Sequence, residues 1–188
     1  MKELKQILDQ VNPVKIIGDM NAVVNGLKLD SRKVEAGDVF FAVKGTTVDG
    51  HSFIPKVIEQ GAGVIVCEAI PEVTHNDVVY IQVKDARRTS AVMACNFYDH
   101  PSGKLQLVGV TGTNGKTSVA TLLHQIYVQK HHKSGLLSTI VNKINNEEIP
   151  STHTTPDPIA INALLQKMVE EHCEYAFMEV SSHAADQD

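Results

Sequence analysis

Apolar positions along the chain change period several times, and each change marks an element. Leu4, Ile7, Leu8 and Val11 recur at helical spacing and predict a helix over residues 3–11. Val14, Ile16 and Ile17 predict a short strand, and Leu27 and Leu29 flank the next extended piece. Residues 34–43 hold a Gly37-Asp38 turn followed by a strongly β-prone run. After a polar stretch over 45–51, Ser52 stands where it would cap a helix reaching Gln60. Phe53, Val57 and Ile58 face inward there, and Pro55 is tolerated in the first turn. Gly61 and Gly63 end that helix. Residues 64–67 and 78–83 read as strands, and Asp85 caps a helix carrying Ala91, Val92, Ala94, Cys95 and Phe97. Pro101-Ser102-Gly103 reads as a linker.

Leu105, Leu107, Val108 and Val110 then predict a buried strand. It breaks into the glycine-rich turn Thr111-Gly112-Thr113-Asn114-Gly115, and Lys116-Thr117-Ser118 opens a helix over 116–130. A strand near 135–140, a turn at Asn145-Asn146, a polar stretch over 151–158 and a helix to about Glu171 follow. The last predicted element is a strand over 175–180, leading into Ser181-Ser182-His183. Strands alternating with helices predict an α/β fold with parallel sheets and right-handed crossovers. The expected arrangement is a small mixed α/β domain over 1–102, then a P-loop-type parallel-sheet domain over 103–188. The second domain has fewer strands than such sheets carry and reads as truncated.

Composition narrows the class. The chain has 188 residues, 43% hydrophobic and 21% charged, which fits a soluble globular protein. A net charge of −5 with no Lys/Arg cluster argues against a nucleic-acid partner. Cys67, Cys95 and Cys173 are odd in number and far apart, so they read as small core residues in a reducing compartment. No signal-peptide core follows Met1, and no apolar run is long enough to span a bilayer. A cytoplasmic monomer without membrane insertion is the default expectation.

The candidate chemistry lies at 111–118. A strand, a glycine loop and a helix start are the parts of a phosphate cradle. Backbone N–H groups and the positive helix end face an anion, Lys116 offsets its charge, and the Thr117 hydroxyl suits Mg²⁺. The spacing departs from the common P-loop, with Val110 where a glycine usually stands. The competing reading is an ordinary glycine turn, but a lysine at this point has no task in one. Glu179 ends a predicted strand, where open α/β sheets place their sites and where a carboxylate suits a hard cation. The competing reading is a carboxylate simply facing water. Asp30-Ser31, on residues alone, reads as a turn-forming pair.

Thr111-Gly-Thr-Asn-Gly-Lys-Thr117 resembles the ATP-binding signature of the Mur ligases, which build the peptide of the bacterial cell wall. Leu29-Asp-Ser-Arg32, Gly37-Asp-Val-Phe-Phe-Ala-Val-Lys-Gly45 and Asp49-Gly-His51 resemble that family's N-terminal UDP-binding domain. Thr154-Thr-Pro-Asp157 and Met178-Glu-Val-Ser-Ser-His183 resemble the branch that adds the third residue of the peptide. The resemblance implies an amide ligase using ATP and Mg²⁺, with a UDP-N-acetylmuramoyl-dipeptide and a diamino acid as substrates. The diamino acid is diaminopimelate or, alternatively, L-lysine. A nucleotide-binding module without ligase chemistry is the competing class. By resemblance, Gly112, Thr113, Asn114, Gly115, Lys116, Thr117 and Ser118 wrap the triphosphate. Thr117 and Glu179 hold Mg²⁺, and Lys116, Glu179 and His183 serve catalysis, although His183 suits a structural role equally well. Leu29, Ser31, Thr46, Thr47, Val48, His153, Thr154, Thr155, Ser181 and Gln187 match substrate contacts. The family's later Asp-His segment, modified lysine and C-terminal domain have no counterpart in these 188 residues, so the chain alone is expected to lack ligase activity.

Overall fold

A computed structural model describes residues 1–45, 48–150 and 157–180. The chain divides into two compact units, Met1–Phe97 and Tyr98–Asp188.

In the first unit, β1 (Lys2–Glu3) runs into a single helical turn, α1 (Leu4–Ile7). β2 (Lys15–Ile17), β3 (Val23–Val24), β4 (Leu27–Lys28) and β5 (Val39–Ala42) follow. Then come α2 (Ile54–Glu59), β6 (Val64–Cys67), β7 (Val79–Gln82) and α3 (Ala86–Phe97). The main sheet has the order β2-β7-β6-β5-β4. β4 to β7 are mutually parallel, and β2 runs antiparallel on the edge. β5 and β6 are buried along their whole length, as expected for parallel strands covered on both faces. Phe40, Ile65 and Tyr80 pack with Ile54 and Val57 of α2 on one face. The helix expected over 3–11 shortens to α1. Lys2 and Glu3 pair with Val23 and Val24 instead, and Gln10 turns left-handed at φ 60°. Leu4 and Ile7 still bury fully.

Ser52 does not cap α2. The Asp49 carboxylate accepts the His51 N–H at 3.0 Å and caps a 3₁₀ turn, Gly50–Phe53, which leads directly into α2. Aspartate three residues earlier wins because the chain is already turning before Ser52, whose own hydroxyl donates back to the Asp49 carbonyl at 2.7 Å.

In the second unit, Pro101–Lys104 is a 3₁₀ turn with Pro101 buried, not a free linker. It precedes β8 (Gln106–Val110), α4 (Lys116–Gln129), β9 (Ser134–Leu137) and β10 (Val141–Ile144). β11 (Glu147–Pro150), α5 (Pro158–Glu170) and β12 (Tyr175–Glu179) complete it. The sheet order is β11-β10-β9-β12-β8. β8, β12 and β9 are parallel, whereas β10 and β11 form an antiparallel hairpin added to the β9 edge. Helix α4 covers one face through Ala120, Leu123 and Tyr127 against Leu136 and Phe177. Helix α5 covers the other through Leu165 and Met168 against Leu137, Ile144 and Ala176. Asp157 caps α5 by accepting the Ala160 N–H at 2.8 Å.

The strand expected to be buried at 105–110 is an exposed edge. Leu107 is 37% and Val108 39% exposed. Its apolar alternation is that of a strand with neighbours on both sides, but among the described residues only β12 pairs with it.

Candidate phosphate and cation site

β8, β12 and β9 all point their C-terminal ends to the same edge of the sheet, because all three are parallel. The loop after β8 wraps back into α4 at that edge. Two glycines make the turn possible: Gly112 has φ 147° and Gly115 has φ 80°, values that a Cβ resists. Gly115 is the N-cap of α4, and no side chain caps that helix. The first-turn N–H groups of α4 therefore have no protein side chain competing for them, which is the condition for receiving an anion.

Lys116 Nζ donates to the Gly112 carbonyl at 2.8 Å, which ties the lysine to the loop it serves. One residue on, Thr117 Oγ1 donates to Glu179 Oε2 at 2.9 Å. Register accounts for this reach: Glu179 pairs with Val110, the last residue of β8. A third strand end converges here. Thr139 N and Oγ1, just beyond β9, donate to the same Glu179 Oε2 at 3.3 and 3.1 Å. No described residue hydrogen-bonds Oε1 of Glu179.

The Thr117–Glu179 pair fits Mg²⁺. Two oxygens bound at about 2.0–2.1 Å and at right angles stand about 2.9 Å apart, and Thr117 Oγ1 and Glu179 Oε2 are separated by 2.9 Å. A hydroxyl and a carboxylate are also the hard oxygen donors that this ion prefers. Among the described residues no cluster of three or more His, Cys, Asp or Glu side chains stands ready for a metal, so a cation here would draw its other ligands from elsewhere.

In the first unit, Ser31 is buried at 8% exposure and opens a 3₁₀ turn, Ser31–Lys33. Asp30 caps that turn by accepting the Arg32 N–H at 3.0 Å. The Arg32 guanidinium pairs with both Asp30 oxygens, at 2.9 and 2.8 Å, and holds the carboxyl down at about 2. Leu29 is half-buried beside Ser31, and Val48 is 53% exposed. His51 ties Asp49 to the residue after β6. Its Nδ1 lies 2.7 Å from Asp49 Oδ1, and its Nε2 accepts the Glu68 N–H at 3.0 Å. Thr46, Thr47, His153, Thr154, Thr155, Ser181, His183 and Gln187 lie outside the described residues. The structure thus brings Lys116, Thr117 and Glu179 together in one unit, while Leu29 and Ser31, half-buried and buried, lie in the other. Thr139 was not singled out by sequence, because a threonine near the end of a predicted strand carries no motif.

Residues 23–98 match the Mur ligase family, catalytic domain, and residues 110–188 match the Mur ligase middle domain. A UDP-N-acetylmuramoyl-L-alanyl-D-glutamate--2,6-diaminopimelate ligase of Bacteroides fragilis is 50% identical over 182 residues, covering 97% of this chain and 38% of the relative. The ligase of the same name from Phocaeicola vulgatus is 49% identical over 185 residues, again with 38% of its length covered. A solved structure of a ligase of that name superposes with a TM-score of 0.81 at 25% identity, covering 100% of this chain and 37% of that one. The chain spans about 38% of the length of the curated relatives it matches. Two family matches in sequence order, and about half-identity along nearly all of its residues, place this chain in the Mur ligase family.

Proposed function

We propose that this chain is the nucleotide-handling part of an ATP-dependent amide ligase. In the longer protein it would join meso-2,6-diaminopimelate to UDP-N-acetylmuramoyl-L-alanyl-D-glutamate. The observation that supports this most is the convergence of a lysine-bearing glycine loop, Thr117 and Glu179 at one sheet edge. The diaminopimelate assignment follows the relatives' names. Nothing comparable favours L-lysine or a module without ligase chemistry.

The roles follow from charge. In the acyl-phosphate route the carboxylate attacks the γ-phosphate of ATP and ADP leaves, which brings two anions together, and the amine then displaces inorganic phosphate. The Gly112–Ser118 backbone and Lys116 hold and neutralise the phosphates, so alignment does not have to overcome their repulsion. Thr117 and Glu179 would hold Mg²⁺, which supplies further positive charge at the phosphates when bound. The first unit, through Leu29, Ser31 and the residues around Val48, would hold the uridine diphosphate end. His153, Thr154, Thr155, Ser181, His183 and Gln187 are proposed contacts to the sugar-peptide by resemblance. A cytoplasmic location follows from where such substrates are used, and no helix among the described residues is long and apolar enough to cross a membrane.

Titration of the chain with UDP-N-acetylmuramoyl-L-alanyl-D-glutamate tests the reading. Saturable binding that UDP displaces is expected. It should weaken at least about tenfold in Ser31→Trp, which overfills a buried position. Absence of saturable binding contradicts the proposed substrate, and binding indifferent to Ser31→Trp contradicts the proposed contact.

A further inference from the structure

Thr139 lies outside every motif that carries the family resemblance, yet it supplies two of the three hydrogen bonds to Glu179 Oε2. We propose that Thr139 is a positioning residue that fixes the Glu179 carboxylate for a divalent cation held with Thr117. The proposal rests on the reading of the loop and Glu179 as a nucleotide and cation site.

The last torsion of a glutamate side chain is broad and roughly two-fold, so a carboxylate does not hold its own orientation. Three donors fix it here. One of them, the Thr117 hydroxyl, is the group that the cation would also use. A hydroxyl bound to a cation through its oxygen turns its proton away from that ion, and so away from a carboxylate bound beside it. The Thr117–Glu179 hydrogen bond is then weakened or given up. The two bonds from Thr139 end on the same oxygen, and they can persist when the cation takes the side of Oε2 that the Thr117 proton leaves, because neither Thr139 donor needs to touch the cation.

The segment carrying Thr139 is itself rigid. Ser138 Oγ donates to the Val141 carbonyl at 2.6 Å, and the Ser138 N–H donates to Asn142 Oδ1 at 3.2 Å. Both side chains are buried, at 5% and 4% exposure, so water does not compete for these bonds. Asn142 stands on β10, which pairs with β9. The carboxylate is thus tied to the frame of the sheet and not only to the loop that receives the phosphate. Partners of this outer kind change metal affinity about 10–100-fold when removed.

The test is Mn²⁺ binding to the chain in the presence of ADP, read by the loss of the free-ion electron paramagnetic resonance signal beyond the loss that ADP alone causes. Mn²⁺ stands in for Mg²⁺ because it takes the same oxygen ligands. Thr139→Val keeps the shape and the backbone N–H but loses the hydroxyl. It should weaken Mn²⁺ binding about tenfold, the lower end of that range, because one of two bonds survives. Thr139→Ser restores the hydroxyl and should bind within about twofold of the unsubstituted chain. ADP affinity without metal, and the thermal midpoint, should be the same in all three. Equal Mn²⁺ affinity in the valine variant, or equal loss in the serine variant, overturns the positioning role. A lowered thermal midpoint in Thr139→Val that Thr139→Ser does not share, with Mn²⁺ affinity unchanged, assigns the residue to folding alone and also overturns it. If the unsubstituted chain shows no Mn²⁺ binding in the presence of ADP, the cation-site reading itself fails, a result separate from the others.

Discussion

Gly135 lies on β9 directly beneath α5, and it has almost no room to become anything else. A Cβ built there overlaps Met168 Sδ and comes within 2.5 Å of Met168 Cε and 2.9 Å of Met168 Cγ. Met168 is fully buried, so its flexible end has no solvent to swing into. Gly135→Ala therefore forces either an off-rotamer methionine or a shift of α5 from the sheet, which costs about 1–3 kcal/mol. Alanine returns about 0.5–1 kcal/mol by restricting the unfolded chain, since Gly135 is not among the glycines with positive φ. The net expected loss lies between about 0 and 2.5 kcal/mol and centres near 1 kcal/mol, a fall of roughly 4–8 °C in the thermal midpoint for a unit of this size. Met168→Ala alone leaves a cavity and should cost about 2–5 kcal/mol. In the double variant the new methyl occupies space the sulfur vacated, so its loss should fall short of the sum by about 1–3 kcal/mol. Chemical denaturation of the three variants measures this. Strict additivity of the two single losses would refute the packing described.

Two further outcomes follow from buried titratable groups. Burial is the main cause that pushes the His124 imidazole below its ordinary value, and it is held by the Asn145 carbonyl at 3.1 Å and the Ser134 hydroxyl at 3.0 Å. The unfolded chain takes up this proton below about 6.5 while the folded chain resists it. Stability from this group is therefore complete above pH 6.5 and declines as pH falls from there through the folded-state value, at no more than about 1.4 kcal/mol per pH unit. Denaturation between pH 7.5 and 5.5 should show a shallower slope in His124→Gln, and equal slopes refute the assignment. Burial also pushes the Cys67 and Cys173 thiols up to about 11 each. At pH 8 a thiol reagent should label the half-exposed Cys95 first and reach the other two only on unfolding; three equal rates contradict this.

Much of the fold is legible from apolar runs. The strands β5, β6 and β12 show as short β-prone runs, and α4 and α5 show as helical stretches, α4 with its start at Lys116. The hairpin β10–β11 showed only its Asn145-Asn146 turn. Its strands, Val-Asn-Lys-Ile and Glu-Glu-Ile-Pro, carry too many polar residues to stand out: β11 is the sheet edge, and β10 alternates half-buried with buried positions. Burial of β8 was misread for the opposite reason. Local pattern reports what a strand's faces prefer, not how many neighbours it has. At the site, the phosphate loop and Glu179 carry strong local signals, a glycine turn with lysine and a carboxylate ending a strand. Thr139 does not, since its role exists only through the register that brings three strand ends to one oxygen.

The central claim is that the loop over 111–118 and Glu179 form one nucleotide and cation site. Calorimetric titration of the chain with ADP, with and without Mg²⁺, tests it most directly when repeated on Lys116→Ala and Glu179→Gln. ADP binding that Mg²⁺ strengthens is expected. Lys116→Ala should weaken binding at least about tenfold under both conditions, since one charge-assisted contact contributes about 1.5–3 kcal/mol. Glu179→Gln should remove the Mg²⁺ enhancement and leave metal-free binding unchanged. ADP binding indifferent to Lys116, or an Mg²⁺ enhancement that survives in Glu179→Gln, would contradict it.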